Sequence, residues 1–104
     1  MAIYEAKDET FDSLIREGVS IIDFYSTHCG PCRALLPSLL EIEGELPFIS
    51  LVKVNTDNCP GLADRFRIQA LPTIYLSKDG IPQEFTDIRS IDSIRQALGS
   101  LIYE

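Results

Sequence analysis

Apolar positions recur along this chain in two spacings, and the spacing changes at turn residues. Val19-Ser20-Ile21-Ile22-Asp23-Phe24-Tyr25 is a nearly continuous β-branched and aromatic run. Such a run suits a central strand covered on both faces. Ala2 to Glu5 reads as a short first strand, and Phe48 to Asn55, with Phe48, Leu51, Val52 and Val54 apolar, as another. Thr73-Ile74-Tyr75-Leu76 is a further strand, and Lys78-Asp79-Gly80 is a turn signal. Ile81 to Thr86 returns as its hairpin partner, with Pro82 placing it at a sheet edge. Helical spacing appears between these runs. Thr10 is a candidate N-cap for Phe11, Leu14 and Ile15, with Gly18 as the stop. Leu35, Leu36, Leu39, Leu40 and Ile42 form a broad apolar face within a helix-like run from Arg33 to Glu45, and Pro37 inside it predicts a kink. Leu62, Ala63 and Phe66 suggest a short helix after Pro60-Gly61. Ser90 can cap a last helix with Ile91, Ile94, Ala97, Leu98 and Leu101 inward.

The predicted order is β-α-β-α-β-α-β-β-α. Alternation in the first part implies parallel strands with helical crossovers, while the closing hairpin is antiparallel. The fold class is therefore α/β, a central mixed β-sheet flanked by helices on both faces. No repeat, low-complexity tract or linker interrupts residues 1–104, which are expected to form one domain.

Composition narrows the function classes. The apolar share of 45% and charged share of 24% are ordinary for a soluble globular protein. A net charge of −7 disfavours nucleic acid and anionic membrane surfaces as partners. Met1 to Glu5 lacks a basic region followed by an apolar run, so no signal peptide is expected. No apolar stretch approaches the ~20 residues that cross a bilayer. Three cysteines, two of them in one C-x-x-C, do not make the framework of a disulfide-stapled secreted domain. A cytoplasmic location fits these features best.

Chemistry concentrates at His28-Cys29-Gly30-Pro31-Cys32, between the strand ending at Tyr25 and the helix-like run. A C-x-x-C at a strand-to-helix turn in a small α/β chain reads as a dithiol redox site. A helix N-terminus favours negative charge and so stabilises a thiolate, the form that attacks a disulfide. A zinc site is the competing reading, but four ligands are needed, and beyond the pair only Cys59 and His28 are available. Pro31 has a fixed φ suited to a first helical turn. Asp23 interrupts an apolar strand, where a carboxylate is costly unless paired or protonated. It either has a raised pKa and a functional role or sits at a wet strand end. Lys53 between Val52 and Val54 reads equally as a solvent-facing residue. Cys59, before Pro60, is a small loop residue without a redox role on the favoured reading.

The chain resembles the thioredoxin family over essentially its full length. The matching pieces, in order, are Ile22-Asp23-Phe24, Cys29-Gly30-Pro31-Cys32, Pro37, Lys53, Asn58 to Gly61, and Leu71-Pro72-Thr73. The resemblance implies the thioredoxin fold and reduction of protein disulfides through a Cys29/Cys32 dithiol–disulfide cycle. It makes Cys29 the nucleophile and Cys32 the resolving thiol. It makes Asp23 the buried acid that assists proton transfer from Cys32, with Lys53 beside it. It also implies a cis peptide bond before Pro72, in a loop where Leu71 and Thr73 flank a substrate-binding backbone. Gly30-Pro31 between the cysteines goes with reducing members. No bound cofactor and no metal are implied, because the thiols carry the electrons. The implied partners are disulfide-containing proteins and a thioredoxin-reductase-like recycling enzyme, with the chain acting as a monomer.

Two departures stand out. Family members usually carry Trp before the first cysteine, where this chain has His28, and Tyr25 stands where another Trp is common; there is no Trp at all. A protonated His28 would stabilise the Cys29 thiolate and make the couple more oxidising. The alternative is a solvated loop residue of little influence. The segment Phe85-Thr86-Asp87-Ile88-Arg89 also lacks the glycine usual before the last helix, which predicts a bulkier rim to the substrate groove. Two other functions stay open: a binding module of this fold with incidental redox activity, and a more oxidising, isomerase-like variant.

Overall fold

The β-branched and aromatic runs become strands and helically spaced runs become helices in the computed structural model, which describes residues 2–88 and 90–103. In chain order these are β1 (Ala2–Glu5), α1 (Phe11–Ile15), β2 (Val19–Tyr25), α2 (Gly30–Glu45), β3 (Ser50–Asn55), α3 (Pro60–Arg65), β4 (Thr73–Lys78), β5 (Ile81–Phe85) and α4 (Ile91–Tyr103). The strands form one sheet in the order β1-β3-β2-β4-β5. β1, β3 and β2 run parallel, while β4 pairs antiparallel with both β2 and β5. The mixed sheet follows from the connections, since helical crossovers join parallel strands and a tight turn joins antiparallel ones.

The sheet has a core on each face. Ile21, Leu51, Ile74 and Leu76 pack with Leu39 and Ile42 of α2 and Ile94 and Leu98 of α4. Ile22, Phe24, Val52 and Val54 pack on the opposite face with Phe11 and Ile15 of α1 and Leu62 of α3. The period of two along β2 and β3 thus sends neighbouring residues to different helices. Phe66 sits among Phe11, Phe24 and Tyr75, with ring centroids 5.0–5.5 Å away. β2 is buried almost throughout because strands flank it and helices cover both its faces. β5 is an edge strand, which allows Pro82 to lack a donor. Asp79 and Gly80 both have positive φ, 50° and 88°, as a two-residue type I′ hairpin turn requires.

Several boundaries differ from the sequence pattern. α2 begins at Gly30, not Arg33, because Cys29 caps it and Pro31 falls within its first turn. The helix runs on through Pro37 as one element to Glu45. β3 begins at Ser50, and Phe48, expected inside the strand, is 57% exposed before it. Leu40 also lies largely outside the core. Thr10 occupies the cap position of α1, but its hydroxyl makes no cap bond; it accepts the Lys7 N–H at 2.9 Å. Ser90 does serve α4, with Oγ accepting the Ser93 N–H at 3.4 Å.

The candidate active site

Cys29 and Cys32 form a disulfide across the N-terminus of α2, with their Cα atoms 5.2 Å apart. Cys29 has extended backbone angles, φ −98° and ψ 107°, and its Sγ accepts the Cys32 N–H at 3.1 Å. The capping acceptor of this helix is therefore the sulfur itself. When the bond is reduced, the same N–H and the helix dipole favour the Cys29 thiolate over the thiol. Cys29 is half-buried, whereas Cys32 is only 4% exposed. The preceding loop is held from two sides. Arg33 donates to the Thr27 carbonyl at 3.0 Å, and the Asn55 amide donates to Thr27 Oγ1 at 3.2 Å.

Two clefts flank the pair. One, of about 360 Å³, is lined by Pro31, Ala34 and Leu35 of α2, by Pro72, and by Ile88, Ile91 and Ile94. The Leu71–Pro72 peptide bond is cis, as the resemblance implied. Ile88 occupies the rim where the sequence lacks a glycine; Arg89 lies outside the described residues. Leu71 sends its side chain to the α1/α3 core, so what it offers near the groove is backbone. Thr73 Oγ1 donates to the Ala70 carbonyl at 2.6 Å and closes the turn around the proline.

The other cleft, of about 330 Å³, has Asp23, Tyr25, Lys53, Cys32 and Arg33 among its walls. Asp23 is 2% exposed, so the wet-strand-end alternative does not hold. Burial pushes its carboxyl up to about 6; Lys53 opposes the rise and Glu5 adds to it. Lys53 is not simply solvent-facing. Its Nζ is 3.8 Å from Glu5 Oε1 and 4.6 Å from the centre of the Tyr25 ring. The Tyr25 hydroxyl lies 2.8 Å from each Glu5 carboxylate oxygen. Glu5 and Asn55 were not legible as site residues, because only strand register brings them beside Asp23 and Cys32; Tyr25, two residues after Asp23 on the same strand, follows from the period of two. Ile88 could have been found, since its place in a glycine-less loop was visible.

His28 is exposed on the loop before Cys29. Cys59 is 1% exposed, and its thiol donates to the Ala6 carbonyl at 3.4 Å. Among the described residues no group of His, Cys, Asp and Glu is arranged to hold a metal ion. A larger cleft, about 590 Å³, lies between β5 and α4 and contains neither active-site cysteine.

A partly exposed sulfur joined to a buried one at a helix N-terminus, beside a buried acid, is a device for thiol–disulfide exchange. Comparison with known proteins gives that class a family. The thioredoxin family model matches residues 2–100, and this chain belongs to the thioredoxin family. Thioredoxin of Staphylococcus saprophyticus is 37% identical over 83 residues, covering 79% of this chain and 80% of that one. Thioredoxin of Chlamydia pneumoniae is 40% identical over 72 residues, covering 69% and 71%. Among solved structures, oxidised mitochondrial thioredoxin 3 from Saccharomyces cerevisiae superposes with a TM-score of 0.83 at 28% identity, covering 94% of each chain. The chain is a thiol–disulfide oxidoreductase of the disulfide-reductase type, and its redox group is its own Cys29–Cys32 pair. No helix is long and apolar enough to cross a membrane among the described residues.

Proposed function

We propose that Cys29 attacks protein disulfides and Cys32 resolves the adduct. The asymmetry of the pair carries the reading, because the half-buried sulfur can meet a substrate that the 4%-exposed one cannot. The Cys29 thiolate attacks one substrate sulfur; a mixed disulfide forms, and the other substrate sulfur leaves as a thiolate that takes a proton from water. Cys32 then loses its proton to Asp23, directly or through one water, and attacks Cys29 Sγ. The mixed disulfide breaks, the second substrate thiol leaves, and the Cys29–Cys32 bond is restored. Two electrons have passed to the substrate. Asp23 suits the base role because its raised pKa of about 6 makes it a better proton acceptor near neutral pH than an ordinary carboxylate.

Gly30 and Pro31 set the spacing of the pair and open the helix. Pro72 fills the groove wall beside Pro31, and the backbone around Leu71 and Thr73 is the place for strand-like pairing with an extended substrate. His28 borders the substrate entrance. Both cysteines, Asp23 and Pro72 come from a single chain, so one copy, residues 1–104 as one domain, suffices as a monomer. We assign the work to the cytoplasm, with protein disulfides as substrates and a thioredoxin-reductase-like, NADPH-dependent flavoenzyme as the recycling partner. A peroxiredoxin is one substrate class to test, since a similar solved structure concerns thiol resolution in a yeast mitochondrial 1-Cys peroxiredoxin.

Replacing Cys32 by Ser tests the cycle. The variant is expected to accumulate mixed disulfides at Cys29, seen as adducts by mass spectrometry; a variant that traps nothing would leave only a scaffold. The reduction potential of the pair decides direction. A value near about −270 mV marks a reductant, and one near about −180 mV means that His28 outweighs Gly30-Pro31 and the protein works as an isomerase-like oxidant.

A further inference from the structure

The parallel strands β1, β3 and β2 place Glu5, Lys53 and Asp23 in one row, with Glu5 paired to Lys53 and Lys53 paired to Asp23 in register. The row runs from solvent inward. The Glu5 side chain is 52% exposed, the Lys53 side chain 21%, and Asp23 2%. One ammonium thus stands between two carboxylates. Its ion pair is with the outer one, at 3.8 Å from Glu5 Oε1, while Asp23 Oδ1 has no hydrogen-bond partner. Tyr25 holds that arrangement. Its hydroxyl lies 2.8 Å from both Glu5 oxygens, and its ring lies under Lys53 Nζ at 4.6 Å.

We propose that Glu5 is a positioning residue for the resolving step: with Tyr25 it holds Lys53 on the outer side of the row and leaves Asp23 free to take the Cys32 proton. The proposal rests on Asp23 being the base. A carboxylate with an ammonium partner to itself ionises readily and binds a proton weakly. Sharing Lys53 with Glu5 dilutes that partnership, and the negative charge of Glu5 adds to the effect. The other neighbours of Asp23 do not compete for this role. From β4 the register partner is Ile74, which is apolar. From α2 the cleft receives Cys32 and Arg33, and the Arg33 guanidinium is bonded to the Thr27 carbonyl. On β2 itself the neighbouring titratable side chain is Tyr25, which burial and Glu5 keep protonated.

The test is Glu5→Gln in the full chain, which removes the charge and keeps an acceptor for Tyr25. Carboxyl NMR titration of the oxidised protein follows Asp23. Stopped-flow reaction of the reduced protein with 5,5′-dithiobis(2-nitrobenzoate) follows resolution by Cys32 as the second release of thionitrobenzoate. The Asp23 midpoint is expected to fall by about half a pH unit or more, and the pH profile of the second release to move with it. Repeating Glu5→Gln on a Lys53→Met background should remove most of the shift. An unmoved Asp23 titration overturns the positioning role alone, as does an equal shift in both backgrounds, which would mean that Glu5 acts only through its own field. A moved titration with an unmoved release profile overturns the assignment of the base to Asp23, and the positioning role with it.

Discussion

Cys29 and Cys59 occupy the same local position with opposite results. Each is the N-cap residue of a helix with a proline in its first turn, α2 and α3 respectively. At α2 the cap acceptor is the cysteine sulfur, which takes the Cys32 N–H. At α3 the cysteine makes no side-chain cap bond. Asp8 does so instead, accepting the Gly61 N–H at 3.1 Å and the Leu62 N–H at 2.9 Å from more than fifty residues away. The free donors that would favour a thiolate are already used by a carboxylate. Burial pushes the Cys59 thiol up, and Asp8, Glu5 and Glu9 push it the same way. A helix N-terminus therefore does not by itself make a cysteine reactive. What matters is whether its donors reach the sulfur and what charges stand around it.

The largest effect should separate the two cysteines outright. Cys29→Ser is expected to abolish disulfide reduction in an insulin-precipitation assay, while Cys59→Ala leaves the rate unchanged and costs about 1 kcal/mol or less of stability from the lost sulfur packing. A substantial rate loss in Cys59→Ala would contradict the comparison.

The next contrast concerns the acids beside each sulfur. Asp23 is buried, while Asp8, Glu5 and Glu9 are exposed. The Asp23 pKa is raised from 3.8 to about 6, so the folded protein binds its proton more tightly than the unfolded chain does. Between those values stability falls as pH rises, and above them the full cost of a buried carboxylate is present. Asp23→Asn is thus expected to stabilise the protein by about 2–3 kcal/mol more at neutral pH than near pH 3, in urea melts at the two pH values. The same variant should slow resolution and flatten its dependence on pH. A gain independent of pH would mean that Asp23 titrates at the same pH in the folded and the unfolded protein.

Removing the competing cap tests why Cys59 is quiet. Asp8→Ala should cost about 1–2 kcal/mol, as loss of a helix cap does, read by thermal unfolding. It should also speed iodoacetamide labelling of Cys59, because a negative neighbour is gone and α3 opens more readily. Gly61→Ala should give the smallest effect. An added Cβ would lie 3.0 Å from Asp8 Oδ2 and must move that side chain, but alanine favours the helix. The two nearly offset, and the net destabilisation is expected to stay under about 1 kcal/mol in the same melts.

Much of this molecule was legible as a pattern. A nearly continuous β-branched and aromatic run identified β2, a shorter run before a turn signal identified β4, helical spacing identified α2 and α4, and Pro82 marked an edge. Of the misplaced residues, Phe48 falls just before β3 and Leu40 lies inside α2 but partly exposed, and periodicity alone does not tell a covered apolar position from an open one. The dithiol was legible because its parts are contiguous and its chemistry depends on the adjoining helix end. Asp23 was legible as an anomaly, a carboxylate in an apolar strand. Glu5 was not, since an acid near a strand end is ordinary on its own. Its meaning comes from the β1–β3–β2 register, which sequence spacing does not encode.

The sequence by itself determined the order of elements and the placing of Cys29 and Cys32 at a helix N-terminus, because both follow from side-chain spacing and backbone preferences within a few residues. Only the tertiary structure decided which cysteine is free to react, which carboxylate shares Lys53, and that Cys32 and Asp23 share a cleft. Burial and electrostatic potential at a point are sums over every group nearby, and here those groups come from strands and helices that lie up to 54 residues apart in the chain.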